Sequence, residues 1–203
     1  MQGIDLREYK GKLRVKIKAW RASLSPEEKA ALDDGVRRRL LATYQYRDCR
    51  TLMIYVSTPI EVDTRAVIEA ALASGRRVAV PRCVPGTREM TFHYIESLSQ
   101  LRPGTFGVLE PPEELPEAVD PEAPLMVVPA LSLDAFGYRL GYGGGYYDRC
   151  LSRFAGQSIG LCYSENTCYR LCHGRYDVPL KAVLTEKYVR RIDRREGGQH
   201  GRV

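Results

Sequence analysis

Three consecutive segments in the first half of the chain constrain its fold more than any other feature. TLMIYVS at 51–57 is a short, partly β-branched apolar run, as a buried strand requires. VDTRAVIEAALASG at 62–75 predicts a helix with Asp63 near its start and Gly75 at its end. RRVAVP at 76–81 predicts the next strand. This strand–helix–strand order indicates a parallel sheet with a right-handed crossover.

The rest of the chain continues the same α/β pattern. Apolar residues at helical spacing predict a first helix over 5–22. SPEE predicts the start of a second helix, which Ser25 caps and Glu28 closes as a capping box, and which runs to about Leu41 or Tyr44. The remaining predicted elements are an antiparallel edge or excursion strand at 91–95, a surface loop at 102–124, strands at 124–132, 158–163 and 182–189, and a helix at 146–154. The fold class is therefore α/β, with three layers around a mostly parallel sheet.

A single domain accounts for residues 1–190. The chain has 203 residues, of which 44% are hydrophobic and 28% charged, which suits one buried core. No window approaches the roughly 20 apolar residues that span a bilayer, and the charged N-terminus lacks the apolar run of a secretory signal. We therefore expect a cytoplasmic protein without a membrane partner, and a monomer. Residues 191–203 lack apolar periodicity and are predicted to form a disordered basic tail.

The net charge of +6 and the pI of about 9.0 raise the question of a nucleic-acid partner. The basic residues are interspersed with acidic ones, except in the first helix, at 37–39 and in the tail, and no nucleic-acid-binding motif accompanies them. A solvated helix face explains most of the surplus, which also suits phosphorylated or polycarboxylate ligands. We therefore disfavour nucleic acid and expect small-molecule substrates.

Four potential metal ligands crowd near the C-terminus: Cys162, Cys168, Cys172 and His173. The numbers of residues between them are five, three and zero, whereas structural zinc sites pair ligands two to four residues apart in two separate knuckles. We therefore expect free, mostly buried thiols in a reducing compartment.

The stretch GYRLGYGGGYYDR at 137–149, here called the glycine segment, combines a bare backbone with aromatic side chains. It follows the predicted strand at 124–132 and leads into the helix at 146–154, which is where open α/β sheets bind ligands. Successive glycines let N–H groups converge on an anion, and the helix N-terminus adds partial positive charge. The spacing matches neither a Walker A loop nor a GxGxxG fingerprint. The alternatives are a tyrosine-packed turn and a phosphate site, and Arg139 and Asp148 favour the phosphate site.

The glycine segment also resembles the signature of the 5-formyltetrahydrofolate cyclo-ligase family. That signature has the form RLGxGxGYYD and is matched without a gap from Arg139 to Asp148. Further landmarks of the family occur in order over roughly residues 8–189: KGKLR at 10–14, YVSTPIE at 55–61, VAVPRC at 78–83, FGVLEP at 106–111 and HGRYDVPLKAVLTE at 173–186. The resemblance implies a fold similar to that of the NagB/RpiA/CoA-transferase group.

The resemblance also implies a reaction. Enzymes of this family convert 5-formyltetrahydrofolate and ATP into 5,10-methenyltetrahydrofolate, ADP and phosphate, with magnesium as cofactor. The formyl oxygen attacks the γ-phosphate and becomes a phosphate ester on an iminium carbon, N10 then adds to that carbon, and phosphate departs. No covalent enzyme intermediate is needed, so catalysis rests on positioning and on neutralising phosphate charge.

The family's functional residues map onto the matching positions of this chain. Lys10, Arg14 and Arg139 are the expected catalytic cations, although from spacing alone Lys10 and Arg14 belong to a solvated basic face. The expected ATP-binding residues are Lys10, Gly11, Lys12, Leu13, Arg14, Arg139, Leu140, Gly141, Tyr142, Gly143, Gly144, Gly145, Tyr146 and Tyr147. The expected folate-binding residues are Val56, Glu61, Tyr142, Gly143, Gly144, Gly145 and Tyr146.

Two carboxylates have specific expected roles. Glu61 accepts parallel N–H bonds from the amino-pyrimidinone edge of the pterin, and Asp148 is the magnesium ligand. The chain departs from the family at Lys181, where a second carboxylate near the metal is expected. Three alternatives follow: Asp177 completes the metal shell, water completes it, or Lys181 contacts a phosphate.

Two other functions are compatible with parts of the sequence. A phosphosugar isomerase or CoA transferase would use the same sheet without ATP, but it needs a catalytic carboxylate at a strand end that we cannot assign. A basic nucleic-acid-binding protein would show strongly salt-dependent binding without nucleotide turnover. The cyclo-ligase interpretation accounts for more of the sequence than either.

Overall fold

The computed structural model describes residues 5–193, which form five α-helices and twelve β-strands. The helices are α1 (Leu6–Ala22), α2 (Pro26–Ala42), α3 (Tyr44–Asp48), α4 (Arg65–Ala73) and α5 (Tyr146–Arg153). The strands are β1 (Thr51–Ile54), β2 (Arg77–Cys83), β3 (Met90–Ile95), β4 (Arg102–Pro103), β5 (Leu109–Glu110), β6 (Pro124–Pro129), β7 (Ser132–Asp134), β8 (Arg139–Leu140), β9 (Gln157–Leu161), β10 (Thr167–Cys168), β11 (Ala182–Leu184) and β12 (Val189–Arg191). Short 3₁₀ helices occupy Leu98–Gln100, Thr105–Gly107 and Ser164–Asn166. None of the helices in residues 5–193 is long and apolar enough to cross a membrane.

Seven strands form the central sheet in the order β12-β11-β9-β6-β1-β2-β3. The five inner strands are parallel, and the two edge strands, β3 and β12, pair antiparallel with their neighbours. The predicted crossover is therefore confirmed: β1 is followed by α4 and pairs in parallel with β2. Two small sheets accompany it, one of order β10-β7-β8 and one formed by β4 and β5 within the predicted surface loop.

Helices cover both faces of this sheet, so the predicted three-layer α/β fold is confirmed. Alternation along β1 sends Leu52 and Ile54 into a core with α2 and α4, and Met53 into a second core that includes Leu151 of α5. Near-continuous apolar runs in β1 and β6 reflect this burial on both faces.

The predicted capping box of α2 is present. The Ser25 hydroxyl accepts the Glu28 N–H at 3.1 Å, and the Glu28 carboxylate accepts the Ser25 N–H at 2.8 Å. The start predicted for α4, by contrast, lies too early, because residues before Arg65 form a turn. In this turn the Thr64 hydroxyl donates to the Tyr55 carbonyl, and the Thr58 carbonyl accepts the Glu61 N–H.

Two predicted strands each prove to be two strands, and the first of these changes also alters the position of the glycine segment. The run at 124–132 divides into β6 and β7, and the run at 182–189 becomes the antiparallel hairpin β11–β12. The glycine segment therefore follows β7 and includes β8, so it does not leave the parallel sheet directly. β12 extends to Arg191, and Ile192 packs against the second core, so these residues belong to the domain. Residues 194–203 of the predicted tail lie outside the described residues.

Candidate active site

One side of α1 carries the basic residues that meet the glycine segment and the strand ends. Lys10, Arg14, Lys18 and Arg21 are separated by four, four and three residues, the spacing that aligns side chains along a helix. The Arg14 Nε–H donates to the Gly141 carbonyl at 2.8 Å, and the Lys18 ammonium lies 5.0 Å from the centre of the Tyr142 ring. The first helix and the glycine segment therefore form two walls of one site.

The backbone of the glycine segment has the conformation that its glycines allow. Gly143 and Gly145 have φ angles of +106° and +76°, which residues with a side chain adopt only with strain. Arg14 packs so closely that a Cβ on Gly143 would lie 3.4 Å from its Nη2 atom. Among residues 5–193, none accepts a hydrogen bond from the backbone N–H groups of residues 141–145. These donors are therefore available to an anion.

Arg139 and Asp148 form an ion pair at the base of the glycine segment. The Arg139 Nη2 atom lies 2.9 Å from Asp148 Oδ1, and the guanidinium also donates to the Val178 carbonyl at 3.1 Å. The Val178 N–H in turn donates to Asp148 Oδ1 at 3.0 Å. The Arg139 side chain is 5% exposed, so its position is fixed by burial and by two polar contacts.

Lys10 and Asp177 form a second ion pair next to the first. Their Nζ and Oδ2 atoms are 2.6 Å apart, and the Gly174 N–H donates to the same oxygen at 3.0 Å. Burial alone would raise the pKa of Asp177, but the hydrogen bonds and the charges of Lys10 and Arg139 outweigh it and lower that pKa. Asp177 therefore stays ionised and lies close to Arg139.

Glu61 lies beside the tyrosines of the glycine segment. Its side chain is buried, and one carboxylate oxygen accepts both the N–H and the hydroxyl of Thr58, at 2.8 and 2.9 Å. Burial and the Glu61 charge together raise the pKa of Tyr55, Tyr142 and Tyr147. The predicted partner of the pterin is therefore surrounded by aromatic rings, two of which belong to the glycine segment.

The other predicted site residues lie in three kinds of environment. Gly141, Tyr142, Gly144, Tyr146 and Tyr147 are half-buried or exposed in the glycine segment, as predicted for ligand contacts. Lys12, however, forms an exposed ion pair with Glu8. The rest contribute to packing: Leu13 and Leu140 belong to a small cluster with Ile17, and Val56 lies within the first core. Roles in ligand binding for these residues stay predictions.

The two carboxylates nearest to Arg139 are Asp148 and Asp177, and Lys181 is not beside them. The Lys181 ammonium donates to the Ala155 carbonyl at 3.2 Å, beyond the C-terminal end of α5, whereas Asp148 lies in the first turn of that helix. This geometry disfavours the alternative in which Lys181 contacts a phosphate, and that alternative stays a prediction. Within residues 5–193 there is no group of three His, Cys, Asp or Glu side chains that could hold a metal, so an all-protein metal cage is absent from this region.

Sequence reasoning missed the most heavily bonded residue near the site. Arg21 was assigned no role from the sequence, yet it is 3% exposed and binds backbone carbonyls beyond β6. Its spacing from Lys10 and Arg14 on one helix side was the available signal.

A second feature that sequence reasoning missed is the pairing of Cys83, the last residue of β2, with Glu110. Burial and the Glu110 carboxylate raise the pKa of the Cys83 thiol to about 11.

All six cysteines are free thiols, and their environments differ. Cys162 is fully buried beside Arg21, and burial raises the pKa of its thiol to about 12. Cys168 is exposed and Cys172 is half-buried, so the prediction of mostly buried thiols is correct for Cys162 and wrong for these two. Cys162 is therefore a neutral, packed side chain rather than a reactive thiolate.

A mostly parallel α/β sheet with basic side chains, free N–H donors and a tyrosine-lined carboxylate at its carboxyl ends defines an enzyme class that binds phosphorylated substrates. Comparison with known sequences identifies the class further. Residues 7–186 match the 5-formyltetrahydrofolate cyclo-ligase family, and the chain belongs to that family. The resemblance found in the glycine segment is thereby confirmed.

Individual relatives agree with this assignment. The chain is 28% identical to the 5-formyltetrahydrofolate cyclo-ligase of Haemophilus influenzae, over 85% of this chain and 95% of that one. It is 34% identical to the enzyme of the same name from Mycolicibacterium smegmatis, over 68% of this chain and 74% of that one. The NMR structure of Aquifex aeolicus 5,10-methenyltetrahydrofolate synthetase superposes with a TM-score of 0.78, at 30% identity over 94% of this chain and 96% of that one. A synthetase from Mycoplasma pneumoniae shares the fold, with a TM-score of 0.67 at 24% identity.

Proposed function

We propose that this protein closes the ring of 5-formyltetrahydrofolate to give 5,10-methenyltetrahydrofolate, with ATP converted to ADP and phosphate. Membership of the cyclo-ligase family supports the reaction. The observation that carries the proposal is the meeting of two sites on one glycine segment. Arg14 contacts this segment from α1, and the Glu61 charge acts on two of its tyrosines.

The folate binds on the Glu61 side. The Thr58 contacts fix the Glu61 carboxylate in a single orientation, so it is preorganised to accept N–H bonds from the pterin edge. Tyr142 and Tyr147 flank this carboxylate and provide aromatic surface for a flat ring. Both hydroxyls are protonated at neutral pH, as those of ordinary tyrosines are, and their raised pKa values keep them hydrogen-bond donors at alkaline pH as well.

The ATP phosphates bind on the opposite side, between α1 and the glycine segment. The N–H groups of residues 141–145 have no acceptor within residues 5–193 and are available there, and Lys10, Arg14 and Arg139 supply positive charge. With both substrates bound, the formyl oxygen faces the γ-phosphate. The side chains then orient the reactants and neutralise the charge that develops on the phosphate, which is how most phosphoryl transfer is catalysed.

Asp148 and Asp177 fit a magnesium ion that is shared with the phosphates. Magnesium is usually held by one or two carboxylates together with substrate phosphates, and Asp148 accepts the N–H of Val178, the residue that follows Asp177. Their side chains are 25% and 24% exposed, so a hydrated ion can reach them. A magnesium ion held by these residues would offset the charge of the phosphates. Of the three alternatives at the second ligand position, Asp177 is the one the geometry favours.

The tail of the folate extends toward a cleft beside the Glu61 loop. This cleft has a volume of about 390 Å³ and is lined by three cations, Lys29, Arg37 and Arg65, and by three carboxylates, Asp33, Asp34 and Asp63. Lys29 and Arg37 are paired with Asp33 and Asp34, so within residues 5–193 Arg65 is the lining cation that remains for a carboxylate of a polyglutamate tail. Comparing the affinities of mono- and polyglutamylated substrate at low salt tests this part of the proposal, and equal affinities would contradict it. We further propose a cytoplasmic monomer that acts only on small molecules.

An absorbance assay at mildly acidic pH, where the methenyl product is stable, tests the proposed function. The protein is mixed with 5-formyltetrahydrofolate and magnesium, with and without ATP. We expect an ATP-dependent rise of the methenyl band. A folded protein that gives no rise would contradict the proposal.

A variant of Glu61 tests the division of the site. Glu61→Gln should raise the KM for folate about tenfold or more, because the amide cannot accept two parallel N–H bonds from the pterin. The KM for ATP should change little. Equal increases in both KM values would show that Glu61 does not distinguish the two substrates.

A further inference from the structure

Arg21 is a buried cation whose contacts the proposed substrates do not explain. It is 3% exposed, and within residues 5–193 it forms no ion pair with a carboxylate. Its guanidinium donates instead to neutral acceptors: Asn166 Oδ1 at 3.1 Å, the carbonyls of Ile60 at 3.2 Å, Ala130 at 2.8 Å and Leu131 at 3.0 Å, and Cys162 Sγ at 3.7 Å. Burial of a charge without a counter-ion is unfavourable, so a purely structural position is better filled by an apolar side chain.

The acceptors of Arg21 lie on three separate segments at the carboxyl ends of the sheet. Ala130 and Leu131 follow β6, Asn166 follows β9, and Ile60 immediately precedes Glu61. A guanidinium presents its donors in a rigid planar fork, so five contacts fix its position and orientation together. Arg21 therefore attaches the C-terminal end of α1 to the loop that carries Glu61.

The same helix carries the phosphate-binding side chains toward its other end. Lys10 precedes Arg21 by eleven residues, which corresponds to about 16 Å along an α-helix. Arg14 lies between them and contacts the glycine segment. Because a helix is stiff over this length, fixing Arg21 against the Ile60 carbonyl also fixes Lys10 and Arg14 relative to Glu61.

We infer that Arg21 is a positioning residue that sets the separation between the phosphate-binding residues of α1 and the folate-binding Glu61. The inference rests on the proposed function, in which the formyl oxygen and the γ-phosphate must meet. Misplacement of reacting groups by 1 Å can cost about 100-fold in rate. Loss of Arg21 therefore lowers kcat, whereas each substrate still binds to its own half of the site.

Kinetics and separate binding measurements on Arg21 variants test this role. For Arg21→Gln, assayed well below its Tm, we expect a kcat about 100-fold below that of the wild type. The Kd of each substrate, measured alone by calorimetry, should change less than about threefold, a difference below 1 kcal/mol. Arg21→Lys keeps the charge and part of the carbonyl contacts, so it should have an intermediate kcat.

Two further variants separate positioning from folding. Leu40→Ala creates a cavity in the first core, where Leu40 is fully buried on α2, and should lower the Tm without lowering kcat. Asn166→Ala removes one acceptor of Arg21 and should lower kcat about tenfold, even where Arg21→Gln fails to fold.

The outcomes distinguish this inference from the proposed function. An inactive wild-type protein would overturn both. An active wild type whose Arg21 and Asn166 variants keep full kcat would overturn only the inference. If Leu40→Ala loses as much kcat as the Arg21 and Asn166 variants at the same decrease in Tm, the inference would also be overturned.

Discussion

The Arg139 guanidinium lies 2.9 Å from the Asp148 carboxylate, and both groups are hydrogen-bonded to the backbone of Val178. The proposed phosphate-binding cation and the proposed metal ligand therefore neutralise each other before any ligand binds. In the proposed reaction, binding of ATP with magnesium exchanges this ion pair for contacts of Arg139 with phosphate and of Asp148 with metal. The exchange keeps both buried charges compensated throughout, which an isolated buried charge would not be.

Replacing Arg139 should abolish most of the activity. Arg139→Ala removes a cation from the phosphate site, and arginines in such sites contribute about 10³-fold or more to phosphoryl transfer. We therefore expect kcat/KM to fall by about 10³, measured from the methenyl absorbance at saturating magnesium. Arg153→Ala is the matched control, because Arg153 lies on α5, as Asp148 does, and its ion pair with Glu89 is exposed. Full activity in Arg139→Ala would remove Arg139 from the catalytic set.

A side chain at Gly143 should disturb both backbone and site. With φ at +106°, an alanine here costs about 1–3 kcal/mol, and its Cβ would be in van der Waals contact with Arg14. We expect Gly143→Ala to lower the Tm and to raise the KM for ATP. Gly75→Ala has a similar φ of +75° and nothing within 4 Å of its Cβ, so it should lower the Tm but leave KM unchanged. Equal KM values in the two variants would mean that the close approach of Arg14 is not needed.

The ion pair of Asp177 predicts how stability depends on pH. Its folded pKa lies below its unfolded value of about 3.9, so its contribution to stability is complete above that value and is lost as the pH falls through the folded pKa. The Tm difference between wild type and Asp177→Asn should therefore be largest near neutral pH and shrink below about pH 4. Glu8→Gln removes the exposed ion pair between Glu8 and Lys12 on α1, the helix that carries Lys10, and should change the Tm little. A difference that grows in acid would contradict the assignment.

The parts of this structure that the sequence predicted are those set by local chemistry. The capping box at Ser25 and the apolar run of β1 depend on neighbouring residues alone. The meeting of Glu61 with the glycine segment was predicted as well, but through the family resemblance rather than from spacing. These features carry their signal within a few residues or in a shared motif.

The parts that it did not predict depend on contacts distant in the chain. Arg21 is buried because strand ends more than 100 residues away surround it, as its contacts with Ala130 and Leu131 show. The division of one apolar run into β6 and β7 depends on the pairing of β7 with β8 and β10. A single sequence reveals neither the burial of Arg21 nor the division of this run, since local propensity does not specify which distant segment supplies the contact.

The position of Lys181 leads to the last prediction. α5 spans about 12 Å, and Lys181 contacts the backbone beyond its C-terminal end, whereas Asp148 occupies its first turn. Lys181→Asp should therefore leave the magnesium dependence of the rate and of ATP binding unchanged, as measured by activity and calorimetry. Asp148→Asn and Asp177→Asn should each raise the magnesium concentration needed for half-maximal effect about tenfold or more. A tighter magnesium dependence in Lys181→Asp would place residue 181 at the metal and assign Asp177 to Lys10 alone.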